Sequence, residues 1–140
     1  MTTILRNVVV DCRDPVSLAG FWAAALGWAI EPIDDATRAR LEIERGVDAL
    51  HERITLIGPA SSPRLYFQRV DDPTPGKNRL HLDLEVDDAD EEATRLQALG
   101  AHDVTRIVET LGGAEERWIV LRDPEGNVFC IQTAGSPQFP

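Results

Sequence analysis

Sulfur, aromatic rings and positive charge are all scarce in this chain, and each shortage closes off a class of function. Only two of the 140 residues are cysteines, one is methionine and 6% are aromatic. Two cysteines cannot build the disulfide framework of a small secreted scaffold. Cys12 and Cys130 each sit in an apolar, strand-like run, which predicts two reduced, buried thiols in a cytoplasmic protein; a disulfide or a reactive thiol is the other reading. No apolar run comes near the roughly 20 residues of a membrane span. Met1 to Val10 lacks the basic flank and apolar block of a signal peptide. Lys and Arg total 14 against 24 Asp and Glu, giving a net charge of -10. Such a surface repels phosphate backbones, so neither nucleic acid nor a membrane is an expected partner.

What the chain does have is period. Ile4 to Cys12 reads as a strand. Asp14 then offers a cap and Pro15 suits a first helical turn, with Leu18, Phe21, Trp22, Ala25 and Leu26 on one face and Gly27 as the stop. Arg40 to Arg45 alternates weakly, Asp48 to Glu52 reads as a loop or one helical turn, and Arg53–Ile57 and Arg64–Val70 read as strands. Asp71 to Asn78, with two prolines, reads as a linker. Arg79 to Val86 alternates without a break, Leu80, Leu82, Leu84 and Val86 against Arg79, His81, Asp83 and Glu85. Asp87 and Asp88 cap a second helix with Ala89, Ala93, Leu96 and Leu99 as its stripe and Gly100 as its end. Strands follow over Asp103–Val108, Arg117–Arg122 and Val128–Thr133, with Gly112 and Gly113 in a hairpin loop and Asp123-Pro124-Glu125-Gly126 in a type I turn.

The two halves repeat. A shift of 74 sets Asn7 on His81 and Asp14 on Asp88; a shift of 62 sets Phe67-Gln68-Arg69 on Phe129-Cys130-Ile131. The expected fold is α+β: two βαβββ modules forming an eight-stranded curved mixed sheet, a cup with helices outside. The expected organisation is a single domain over 1–140, made of module 1–70, linker 71–78, module 79–134 and tail 135–140.

The segments RNVVVDCRDPVSLAGFWAAALGW, RLYFQRVDDPTPGKNRLHLDLEVDD and LRDPEGNVFCI resemble glyoxalase-like, bleomycin-resistance-like proteins of the vicinal oxygen chelate superfamily, in an actinobacterial, hence bacterial, style. The resemblance covers nearly the whole chain and is weakest over Asp34 to Glu52. It implies a cavity for a small molecule and a homodimer. In metal-dependent members up to four ligands come from the first and last strand of each module, and those places fall on Asn7, Gln68, His81 and Cys130. That set has one imidazole, two amides, a thiol and no carboxylate, so no metal or other cofactor is expected; were one present, His81, Gln68 and Cys130 would hold it.

The expected site therefore has His81 as general base or ligand donor, or else as a histidine bonded within the sheet, and Asp83 orienting it or simply solvated. Arg79 and Arg69 would grip an anion or bridge acidic neighbours. Tyr66 would line the cavity with Gln68, and Val9, Asp11, Val128 and Gln132 would join Asn7 and Cys130. Trp118 is open between cavity and core, while Trp22, Trp28, Phe67 and Phe129 read as core. His51 and His102 read as surface loop residues. Three functions follow: a metal-independent binder of a small organic molecule; an enzyme of the lyase, isomerase or dioxygenase kind using a divalent metal; or a dimeric interaction module with a vestigial cavity.

Overall fold

A computed structural model of the chain describes residues 5–46, 50–71, 80–111 and 114–135. They fall into two compact units, Met1–Thr74 and Pro75–Pro140. The expected linker, the hairpin glycines Gly112 and Gly113 and most of the tail lie outside the described residues.

The first unit runs β1 (Asn7–Cys12), α1 (Pro15–Leu26), β2 (Ala29–Ile30), α2 (Asp35–Arg45), β3 (Arg53–Ile57) and β4 (Arg64–Arg69). Its sheet has the order β1-β4-β3-β2, with β1 and β4 parallel and the other pairs antiparallel. The second unit runs β5 (Asp83–Val86), α3 (Ala89–Leu99), β6 (His102–Leu111), β7 (Ala114–Arg122) and β8 (Val128–Thr133). Its order, β5-β8-β7-β6, repeats the first, again with only the outer β5–β8 pair parallel. Each half thus builds a four-stranded mixed sheet, and the α+β expectation of paired βαβββ modules holds.

Both helices of the repeat start on an aspartate. Asp14 Oδ1 accepts from the Ser17 amide at 3.1 Å and Asp88 Oδ1 from the Glu91 amide at 3.0 Å, each filling an orphan donor of the first turn. α1 ends on Gly27, whose φ of 66° is costly for any residue with a Cβ. α1 packs on β3 and β4, and α3 on β7 and β8. The cores are Leu18, Phe21, Trp22, Leu56, Leu65 and Phe67 in one unit and Leu96, Ile119, Leu121, Phe129 and Ile131 in the other. Phe67 and Phe129 lie on the helix side as expected, and full burial of such a ring is worth about 1.5–3 kcal/mol. Leu99, expected in the α3 stripe, is instead exposed.

Several expectations are corrected. Arg40 to Arg45 is the end of α2, not alternating strand: Asp34 Oδ1 accepts from the Thr37 amide at 2.7 Å, and the cap starts a helix before the short alternation can act. β5 is shorter than its pattern: pairing starts at Asp83↔Cys130, and the same register sets Val128, the first residue of β8, opposite His81. Leu80 thus lies beyond the partner strand and is exposed. His102 opens β6 rather than a turn. Cys12 is buried but Cys130 only partly, and both are thiols. The repeat register also changes. Asp11 pairs with Gln68, and Glu85, 74 residues after Asp11, pairs with Gln132, 64 residues after Gln68. The counterpart of Cys130 is therefore Tyr66, not Gln68. A slip of two keeps every side chain on its own face, so the inward aromatics alone could not reveal it.

Candidate functional site

In each unit one sheet face meets the helix and the other carries the expected site residues. In the first unit β1 presents Asn7, Val9 and Asp11 on that second face. By register β4 sets Arg64, Tyr66 and Gln68 beside them, and β3 adds Arg53 and Thr55. The polar groups are tied to one another. Arg64 Nε donates to Asn7 Oδ1 at 3.1 Å, and its Nη1 donates to Glu31 at 3.1 Å. Gln68 Nε2 donates to Asp11 Oδ1 at 2.7 Å. The Asn7 amide oxygen, which would face a cation if it were a ligand, is thus engaged by a guanidinium. Arg69 is exposed on the opposite register to Gln68.

The second unit gathers a tighter group. His81 Nδ1 lies 3.0 Å from Asp83 Oδ1. Ligand-type atoms of His81, Asp83 and Cys130 all lie within 4.8 Å of one another. Cys130 is held there by strand pairing: it faces Asp83 across the β5–β8 ladder, and its amide donates to the Leu82 carbonyl at 2.9 Å. A proton on Nδ1 shared with Asp83 fixes the tautomer that leaves Nε2 as the lone-pair nitrogen, able to take a proton or to accept a bond from a ligand. The register also places Trp118: it is one residue from buried Ile119, which pairs with Ile131, so it shares the Cys130 face and is half-buried. Arg79 lies outside the described residues.

The turn that launches β8 explains the DPEGN segment. Asp123 is buried, and its Oδ1 accepts from the amides of Glu125 and Asn127 at 3.0 Å each, while Asn127 Nδ2 reaches both carboxylate oxygens. The Gly126 amide closes the turn on the Asp123 carbonyl at 2.8 Å. This fixes where β8 begins, and so where Cys130 sits.

A hollow of about 520 Å³ lies in the first unit, between the end of β2, the first turn of α2, the turn at Leu50 and His51, and β3. None of the residues expected to form the site lines it. Sequence reasoning missed Arg38, Arg53 and Thr55 altogether and read His51 as plain surface, because the wall exists only once α2 forms. Asp34, also on its wall, has its carboxyl held below the ordinary carboxylate range, chiefly by the Thr37 amide and then by the Thr37 hydroxyl.

Three solved structures are similar over nearly their full length. A glyoxalase/bleomycin resistance protein/dioxygenase family enzyme from Burkholderia phytofirmans PsJN is 19% identical with a TM-score of 0.67, covering 94% of this chain and 98% of its own. A glyoxalase-related enzyme from Fulvimarina pelagi is 16% identical with a TM-score of 0.62 and 99% coverage of both. A glyoxalase family protein from Bacillus cereus is 17% identical, with a TM-score of 0.62 and 95% coverage of both. Identities this low speak for the fold alone. No curated protein matches the chain. The glyoxalase-like domain family matches residues 7–132, spanning both sheets and every residue discussed above from Asn7 to Gln132, and the chain belongs to that family.

Proposed function

We propose that this protein binds a small organic molecule on the helix-free sheet face of the second unit without a metal ion. The observation that carries the reading is the fate of the amides: Asn7 is bonded to Arg64 and Gln68 to Asp11, so both amides expected at the site serve the protein's own network. As a set, Asn7, Gln68, His81 and Cys130 do not fit a divalent cation, since they supply no carboxylate and Asn7 gives its oxygen to a cation already there. The His81–Asp83 pair offers a ligand hydroxyl or carbonyl a directional hydrogen-bond partner, and Trp118 offers it an apolar plane.

A second reading, a metal-dependent lyase, isomerase or dioxygenase, draws on the gathering of His81, Asp83 and Cys130 donors within 4.8 Å. Elemental analysis of fresh protein, with melting and ligand titration before and after chelation, separates the two. A panel of aromatic and aliphatic acids and alcohols, followed by tryptophan fluorescence with Trp118→Phe as the control, supplies the titration. The binder reading expects no stoichiometric metal, an unchanged melting temperature and affinity, and a loss of at least about tenfold in affinity in His81→Ala. A stoichiometric metal that disappears in His81→Ala overturns it in favour of the enzyme. The homodimer implied by the family resemblance, and the cytoplasmic setting, remain part of the proposal; sedimentation velocity measures the former.

A further inference from the structure

We infer that the hollow walled by α2 is a second binding site, for a small organic anion: an oxyanion headgroup on a short apolar body. Its residues all belong to the first unit and include none of His81, Asp83, Cys130 or Trp118, so it stands apart from the function proposed above.

Two arginines without an ion-pair partner among the described residues share this wall. The chain carries 14 basic against 24 acidic side chains, so on average each cation has an acid at hand. The two acids on the wall of this hollow each accept from a donor. Glu31 receives Arg64, and Asp34 receives the amide and hydroxyl of Thr37. Arg38, from the first turn of α2, and Arg53, from β3, line the same space and form no ion pair with a described residue. His51 adds a third nitrogen donor to the wall. Each guanidinium can grip a carboxylate or phosphate through paired N–H groups.

Size and lining set the rest of the ligand. Ile30, Ile33, Leu50 and Ile54 supply apolar wall, and about 520 Å³ falls within the range of small-molecule sites. The β2–β3 edge is held rigid where it matters, since the Glu31 amide donates to the Thr55 carbonyl at 2.8 Å. The opposite wall, α2, is fastened by its Asp34 cap. A bare inorganic ion would leave the apolar wall unused, and an alcohol would leave the arginines unmatched.

The test titrates the full chain with hexanoate, hexyl phosphate, hexanol, hexylamine and inorganic phosphate, followed by amide chemical shifts. Hexanoate, hexyl phosphate or both should bind with shifts over 30–38 and 50–55. Hexanol, hexylamine and inorganic phosphate should bind at least about tenfold more weakly. Whichever of the two anions binds more tightly names the headgroup. Arg53→Gln and Arg38→Gln should each weaken that binding about tenfold, while Arg106→Gln in the other unit should not. Equal binding of hexanol, inorganic phosphate matching hexyl phosphate, or shifts confined to residues 80–84 and 128–132 would each overturn the inference. The last of these would leave the proposed function intact.

Discussion

The two units share a strand order and a helix cap, yet they differ in what they do with the face away from the helix. The first ties its polar groups into pairs, Asn7 with Arg64 and Gln68 with Asp11, and adds α2 with its hollow. The second keeps an imidazole, a carboxylate and a thiol together and adds nothing between its helix and hairpin. What the two units share is what each core requires, a sheet with one apolar face against its helix. The residues of the other face are where they differ.

If the cores are equivalent, truncating the largest fully buried ring of each should cost the same. Phe67→Ala and Phe129→Ala each remove a fully buried ring, and each should lower stability by about 3–5 kcal/mol in urea unfolding. Costs differing by more than about 2 kcal/mol, or a second transition in one variant alone, would break the equivalence and show one unit to be the weaker.

Those aromatics were also the most legible feature of the chain. Strand period, the Asp14 and Asp88 caps, the Gly27 stop and the Asp123 turn act over fewer than about five residues, so the sequence states them locally. The register between β1 and β4 is not local: Asp11 meets Gln68 across 57 residues, and a slip of two leaves the hydrophobic pattern unchanged. α2 was hidden for another reason. Arg40-Leu41-Glu42-Ile43 satisfies both periods over so short a span, Ile43 is exposed, and the decision rests on one cap hydrogen bond. With α2 went the hollow. The pairing of His81 with Asp83 was readable because both lie on one face of one alternating run.

A smaller contrast sharpens the difference between the units. Gly58, at the end of β3, has Trp28 packed on it: a Cβ there would lie 2.3 Å from Trp28 Cε2. Gly58→Ala should therefore cost about 1–3 kcal/mol by forcing the indole off the first unit's β2–β3 edge. Gly20 sits within α1 with nothing within 4 Å of its missing Cβ, so Gly20→Ala should add about 0.5–1 kcal/mol. Differential scanning calorimetry reads both. If Gly58→Ala proves neutral, the close seat of Trp28 is not what fixes that edge.

The smallest effect concerns α2, the element without a counterpart. Asp34 is ionised more readily in the folded chain than in the unfolded one because the Thr37 amide and hydroxyl donate to its carboxylate. Its contribution to folding is thus fully present above the ordinary carboxylate pKa and is lost as the pH falls through the lowered folded value. The side chain is at the surface, so the change is local: hydrogen exchange at Thr37, Arg38 and the following turn should quicken in acid while the core amides of Phe67 and Leu65 hold. Asp34→Asn keeps a capping oxygen that does not titrate, and it should remove the pH dependence without removing the helix. Acid loosening that persists unchanged in Asp34→Asn would assign it to another carboxylate. Loosening that vanishes would assign the acid sensitivity of the first unit's added wall to this cap.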